Sequence, residues 1–287
     1  MKRWTRQASP RRAILAAVAA GSLVAIGSAP AASSAAGLPT LNISVTKTTI
    51  SASGSTVAGG TNVVVTSEKG LKEPAVILFH LNPGVSVAEF EAFAHSKKFS
   101  DPNNADKLGL IAFDEEGVPG GTAEAQTDLQ PGTYVVLNAE GENPANPPHS
   151  AFTVTAPKTA AVALPAPATT EKTVEFGFRG PTTLKVGEVV RFENEGFLVH
   201  MNVAFPVKSK HAAIEAVKDL KLGREKAVFR LVKGQPFSFY GPIGSGAWQQ
   251  ETITQKPGWY VQACFMTDQN GRPHTMLGME RAFRIVK

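Results

Sequence analysis

A thiol, an imidazole and a thioether lie close together near the C-terminus of this 287-residue chain. They belong to Cys264, the only cysteine, and to His274 and Met279, all within sixteen residues. An earlier histidine, His200, opens a predicted strand. Two imidazoles, a thiolate and a weak thioether are the donor types of a mononuclear copper site. Because an unpaired cysteine in a chain that looks exported needs an explanation, we interpret Cys264 as a metal ligand.

The first 36 residues are predicted to be a signal peptide. Basic residues precede an apolar run from 13 to 26, which at fourteen residues is too short to span a bilayer. The pair Arg11-Arg12 resembles a twin-arginine signal, and an ordinary secretory signal fits equally well. We therefore expect export to a periplasm or out of the cell, with no transmembrane anchor.

The positive charge of the chain is concentrated in that segment. The whole sequence has 29 basic and 24 acidic residues, and five basic but no acidic residues precede Gly37. The remainder is therefore formally neutral, with 24 of each. A neutral chain gives no electrostatic indication of nucleic-acid binding, so no nucleic-acid partner is expected.

The remaining sequence divides into two similar halves. Residues 37–155 and 172–287 flank an Ala/Pro/Thr-rich segment, 156–171, which is typical of a linker. The sequence QPGTYVVLN at 130–138 aligns with KPGWYVQAC at 256–264, an offset of 126 residues. The same offset relates Ile77 to Val203 and Phe79 to Phe205. A constant offset indicates an internal duplication.

Short alternating apolar runs between Gly/Pro turns predict strands in both halves. The second half has predicted strands at 189–193, 200–207, 227–232, 236–240, 259–265 and 281–286. One helix is predicted after the N-cap Ser209, with Ile214, Val217 and Leu220 on its apolar face. In the first half, a second helix is predicted after Ser86, which forms a capping box with Glu89. The expected class is all-β, with two Greek-key antiparallel β-sandwich domains that each contain one short inserted helix.

The second half resembles the cupredoxins, the family of plastocyanin, azurin and rusticyanin, over about 115 residues. The matching features are VGEVVRFEN at 186–194, His200, PGWY at 257–260, Cys264, His274 and Met279. The resemblance implies one copper ion, with His200 and His274 as imidazole ligands, Cys264 as thiolate and Met279 as axial ligand. Met266 and Met276 are the rival thioethers.

The spacing departs from the family in one place. Nine residues separate Cys264 from His274, more than the usual loop. Residues 267–271 have turn composition, so we expect them to form a small excursion that leaves the ligand set together.

The first half lacks the ligands. At the constant offset, Pro74 replaces His200 and Asn138 replaces Cys264, so we expect no copper there. The chain also has no His-x-His pair, which the related multicopper oxidases need for oxygen reduction. The sequence therefore predicts a protein that is not an enzyme.

The leading expectation is electron transfer by one copper in the second half. Electrons would pass through an exposed edge of His274 to a redox partner protein that docks on the surrounding apolar loops. Two other functions stay open: a metal-free extracellular β-sandwich for binding or structure, and copper carriage or storage. In the last case Met201, Met266 and Met276 would help to hold Cu(I).

Overall fold

The computed structural model describes residues 37–71, 74–139 and 146–287. The predicted signal peptide, residues 1–36, lies outside the described residues and stays a prediction. Strands dominate both halves, as the short alternating runs indicated.

The described part of the first half consists of eight strands, one α-helix and two 3-10 helices. The strands are Thr40–Val45 (β1), Ile50–Gly54 (β2), Gly59–Ser67 (β3), Ala75–Leu81 (β4), Gly109–Glu116 (β5), Thr122–Leu129 (β6), Gly132–Asn138 (β7) and His149–Val154 (β8). The helices are Val87–Ala94 (α1) and the 3-10 helices Lys97–Ser100 and Pro102–Ala105. The predicted capping box opens α1, because Ser86 Oγ accepts the Glu89 N–H at 3.2 Å and Glu89 Oε2 accepts the Ser86 N–H at 2.8 Å.

The second half repeats this plan with nine strands. The strands are Thr169–Val174 (β9), Gly177–Arg179 (β10), Thr183–Lys185 (β11), Val189–Asn194 (β12), His200–Val207 (β13), Phe237–Ile243 (β14), Trp248–Thr252 (β15), Gly258–Ala263 (β16) and Glu280–Val286 (β17). The helices are Lys210–Lys221 (α2), Glu225–Leu231 (α3) and the 3-10 helix His274–Leu277.

The helices of the second half differ from the prediction in two ways. Residues 227–231 form most of α3, so the strand predicted at 227–232 is wrong, and so is the expectation of a single helix in the second half. A short apolar run has no period that distinguishes a strand from a buried helical turn. Gly223, at φ +65°, ends α2 and turns the chain, and Val228 of α3 is then buried in one apolar cluster with Phe205.

The buried face of α2 is also different from the expected one. Ile214 was placed on the apolar face but is 54% exposed. Small side chains, Ala213 and Ala216, are buried instead, together with Leu220. The predicted N-cap is confirmed, since Ser209 Oγ accepts the Ala212 N–H at 3.2 Å.

Three sheets form two sandwiches that share one long sheet. Their strand orders are β10-β9-β12-β15-β6-β3-β1-β2, β11-β17-β16-β13-β14 and β5-β4-β7-β8. The eight-stranded sheet crosses between the halves where β15 pairs with β6 at Gln250 and Gln126. Three pairings are parallel (β1–β3, β9–β12 and β11–β17) and the others are antiparallel. The expected all-β class with two sandwiches is therefore confirmed.

Strand pairing is the same in the two halves. The central strand β4 pairs with β5 and β7, and β13 pairs with β14 and β16. Phe79 faces Val135 in the first half, and Phe205 faces Val261 in the second, each residue 126 positions later. The offset seen in the sequence is thus an offset between equivalent strands.

The segment predicted as a linker, 156–171, contains no helix or strand from 156 to 168, and its last three residues begin β9. It lies against the strands of both halves. The Gly60 N–H donates to Val162 O at 2.7 Å, and Gln250 Nε2 donates to Pro165 O at 3.1 Å.

Candidate metal centre

Two neighbouring strands and the loop that follows them bring the four predicted ligands to one region of the second sandwich. His200 is the first residue of β13, and Cys264 directly follows β16. Because β13 and β16 pair antiparallel, the start of one lies beside the end of the other. His274 opens the last 3-10 helix, and Met279 comes immediately before β17.

The donor atoms of three of these residues converge. His200 Nδ1 lies 3.2 Å from His274 Nδ1, and Cys264 Sγ lies 3.8 Å from the first nitrogen and 3.4 Å from the second. The point equidistant from the corners of this triangle lies about 2.0 Å from each of them. Metal–nitrogen and metal–sulfur bonds of about 2.0–2.3 Å are typical of such ligands. The three side chains therefore fit a single transition-metal ion.

The sulfur is fixed by the main chain. The Met201 N–H donates to Cys264 Sγ at 3.4 Å, and the Cys264 N–H donates to Met279 O at 3.1 Å. Burial raises the pKa of the Cys264 thiol to about 12, with the Met201 and Met266 backbone contacts opposing that shift. The thiol is thus protonated near neutral pH until a metal displaces the proton.

The first half makes an equivalent bond without a sulfur. Asn138, 126 residues before Cys264, accepts the Ala75 N–H on its Oδ1 at 3.0 Å. Ala75 is in turn 126 residues before Met201. The amide oxygen therefore fills the place of the thiol, and the sole His/Cys/Asp/Glu metal cluster found in the described residues is the one in the second half.

The methionines differ in burial. Met279 and Met201 are buried in the same apolar cluster as Cys264, and Met266 packs against that cluster. Met276 is 49% exposed. The Met279 N–H donates to His274 O at 3.0 Å, which ties the two ligand segments together. The axial role of Met279 stays a prediction.

The long loop between Cys264 and His274 closes on itself. Asp268 Oδ1 accepts the N–H groups of Asn270 at 2.9 Å and Arg272 at 2.8 Å, and Thr267 bridges Pro273. These bonds isolate the extra residues as a turn, as the sequence composition predicted. The insertion leaves the imidazole of His274 beside the sulfur.

One expectation about this site is wrong. His274 was expected to present an exposed edge, but His274, His200 and Cys264 are all completely buried. Burial, and secondly the proximity of His200, lower the pKa of His274 to about 4. Burial also lowers the pKa of His200, although Glu175 opposes that shift. Both imidazoles are therefore neutral at pH 7, as metal ligands must be.

A carboxylate that the sequence analysis missed lies behind His200. Glu175 Oε1 is 3.4 Å from His200 Nε2 and accepts the Leu198 N–H at 2.8 Å. Partial burial favours the neutral acid, but backbone N–H groups led by that of Leu198 outweigh it and lower the pKa of Glu175. The residue is thus an anion beside a buried ring.

The first half covers one side of the site. Asn103 Oδ1 accepts the N–H of Val199, the residue before His200, at 2.8 Å, and Asn103 is itself held by Asp101 Oδ1. Val199 is buried in an apolar cluster with first-half residues such as Phe90. The chain leading into the first ligand is therefore fixed from the other half, a long-range contact with no signal in the sequence.

No helix in the described ranges is long and apolar enough to cross a membrane.

Comparison with known proteins gives matches in structure alone. No protein-family model matches the chain, and no curated protein matches its sequence. Auracyanin B matches at 15% identity and a TM-score of 0.26, over 44% of this chain and 94% of its own. Auracyanin A of Chloroflexus aurantiacus, described as a "blue" copper protein, matches at 19% identity and a TM-score of 0.24, over 41% of this chain and 98% of its own.

A longer match covers both halves. The Cu-containing nitrite reductase of Thermus scotoductus SA-01 is 12% identical, with a TM-score of 0.24, over 86% of this chain and 68% of its own. Of these three proteins, auracyanin A and the nitrite reductase are described as containing copper. Since the TM-scores are low, we assign the site from its own geometry.

Proposed function

We propose that this chain is an exported, cupredoxin-like electron-transfer protein that holds one mononuclear copper in its second half. His200, Cys264 and His274 would bind the ion, with Met279 as the axial ligand. The observation that carries the proposal is the triangle of two Nδ1 atoms and one Sγ, whose centre lies about 2.0 Å from each corner.

The residues around the site suit electron transfer. A bound copper would supply a one-electron couple, and soft sulfur with borderline imidazole is a donor set that both of its oxidation states accept. Complete burial of His200, Cys264 and His274 excludes water from the ligands. His200 in β13 and Cys264 at the end of β16 are held by paired strands, so these two ligands should keep one geometry through the redox change. The proposal assigns no substrate turnover to the metal.

The surface for a redox partner must then be formed by other side chains. Phe176 packs edge-on against the His274 ring, with centroids 4.9 Å apart, and is partly exposed. Phe197, three residues before His200, is 91% exposed. We propose that a partner protein docks on these aromatic side chains and that electrons leave past Phe176. Because the chain after residue 36 is formally neutral, long-range charge should steer this docking weakly.

Stoichiometric Cu(II) addition to the purified protein tests the proposal. We expect one equivalent to bind and to give an intense thiolate-to-copper visible band, and Cys264→Ser to abolish the band. Ser238→Ala, which removes a buried hydroxyl elsewhere on β14, should leave it unchanged. Absence of binding would support the metal-free module, and tight Cu(I) binding without the band would support copper carriage.

A further inference from the structure

Glu175 connects the first imidazole to the surface. It lies in the turn between β9 and β10, and its Oε1 is 3.4 Å from His200 Nε2, the ring nitrogen opposite the one near Cys264. The carboxylate is anchored by the Leu198 N–H at 2.8 Å. Its side chain keeps 24% exposure, whereas the His200 ring has none.

The position of one proton decides whether His200 can bind a metal. A neutral imidazole has one N–H and one lone pair, on different nitrogens. To bind a metal beside Cys264 Sγ and His274 Nδ1, His200 Nδ1 must carry the lone pair, and the proton must then lie on Nε2. Nε2 makes no hydrogen bond of standard geometry within the described residues, and at 3.4 Å the Glu175 carboxylate acts on it through its charge.

Gly196 provides the space in which Glu175 and His200 approach each other. A Cβ at Gly196 would lie 2.5 Å from Glu175 Oε1 and 2.7 Å from His200 Nε2. Since real Cβ atoms do not approach so closely, any side chain at position 196 would push the carboxylate and the ring apart. The turn therefore needs glycine for close approach, and the contact is built into its shape.

The second imidazole has no carboxylate within ion-pair distance among the described residues, although the charges of Asp268 and Glu175 and the backbone of Thr267 also act on it. His274 Nε2 makes no hydrogen bond within the described residues, and its ring packs against Phe176. The His200 ring thus contacts an anion, Glu175, whereas the His274 ring packs against an apolar side chain, Phe176. An anion behind a ligand stabilises the more highly charged metal state more, so its effect should be larger for Cu(II) than for Cu(I).

We propose that Glu175 is a positioning residue, which keeps the proton of His200 on Nε2 so that Nδ1 presents its lone pair to the metal. The role in metal binding rests on the proposed copper function. The effect on the His200 proton does not, because it is already present without a metal.

Two variants and a matched control test this role. Glu175→Gln keeps an oxygen acceptor but removes the charge, whereas Glu175→Ala removes both. Glu193→Gln is the control, since its side chain is 25% exposed, like that of Glu175, and faces Lys172 and Arg191 instead of a ligand. Long-range ¹H–¹⁵N spectra of the metal-free protein identify the protonated nitrogen of His200. Chelator competition measures the Cu(II) and Cu(I) affinities.

In the metal-free protein, we expect His200 to be protonated on Nε2 in the wild type and in Glu175→Gln. In Glu175→Ala the proton should move in part to Nδ1, where His274 Nδ1 can accept it at 3.2 Å. Gly196→Ala should act in the same direction. An unchanged tautomer in both Glu175→Ala and Gly196→Ala would overturn the proposal, whether or not the protein binds copper.

With copper, loss of the charge should weaken Cu(II) binding by about 10- to 100-fold relative to the control, as other residues that orient metal ligands do. A tenfold greater loss for Cu(II) than for Cu(I) would raise the reduction potential by about 59 mV. If Glu175→Gln matched Glu193→Gln in both affinities, the charge of Glu175 would have no role at the metal. A wild type that binds no copper would refute the proposed function and leave the tautomer result to decide the rest.

Discussion

Copper binding should be strongly pH-dependent, because the metal-free site holds a proton that the metal must displace. Burial raises the pKa of Cys264 to about 12 and lowers that of His274 to about 4. The pKa of His200 is also lowered from its ordinary value. From pH 7 upward both imidazoles are neutral and the sulfur is a thiol. One proton should therefore leave for each copper bound, and the apparent affinity should rise with pH.

The magnitude follows from the thiol. The apparent affinity should increase tenfold per pH unit between pH 7 and 9, with no contribution from His200 or His274. Because pH 7 is about five units below the pKa of the Cys264 thiol, the apparent copper affinity at pH 7 is about 10⁵-fold lower than that of the thiolate form. At 1.36 kcal/mol per unit, this is about 7 kcal/mol.

Calorimetry in two buffers of different ionisation enthalpy measures the released protons directly, and chelator competition gives the slope. Cys264→Ser serves as the control, since it should lose both the tight binding and the proton release. A slope of zero would mean that the thiolate exists before the metal arrives. A slope of two would mean that an imidazole is protonated at neutral pH. Either result would refute the account of burial given above.

Two buried polar contacts give further predictions. Asn103→Ala leaves the buried Val199 N–H without its acceptor and should lower the free energy of unfolding, measured by urea titration, by about 1–3 kcal/mol. The control Asn104→Ala, at an exposed neighbouring position, should lower it clearly less. Equal losses would contradict this. Arg281→Met leaves the carboxylate of Glu171, which is only 1% exposed, without its cation and should cost about 3–5 kcal/mol. Arg284→Met, on the same strand, should change the midpoint of thermal unfolding little, and a similar drop for both arginine variants would rule out the buried pair as the cause.

The convergence of the donors was implied by the resemblance to the cupredoxins, and strand periodicity placed His200 and Cys264 on two predicted strands. Cys264 at the end of one strand and His200 at the start of its neighbour are placed by local patterns, and the offset of 126 identified equivalent strands. The run at 227–232 was misread because its apolar spacing suits a strand as well as one face of a helix.

The features that the sequence did not predict depend on long-range contacts. Glu175 lies in the turn after β9, and no local pattern indicated that its carboxylate would reach His200. The burial of His274 and the contact of Asn103 with Val199 arise from tertiary packing, which no local pattern encodes. Charge, spacing and periodicity describe each half, whereas the environment of the site depends on the assembled chain.

The paired bonds of Asn138 and Cys264 have a consequence for metal uptake. In both halves a main-chain N–H at the start of the central strand donates to a side chain. Ala75 donates to the amide oxygen of Asn138 in the first half, and Met201 donates to the sulfur of Cys264 in the second. The thiol is thus held in place by the protein's own architecture in the absence of any ion. Its rotational freedom is already lost when the chain folds, so an arriving metal meets an ordered sulfur and needs only to remove its proton.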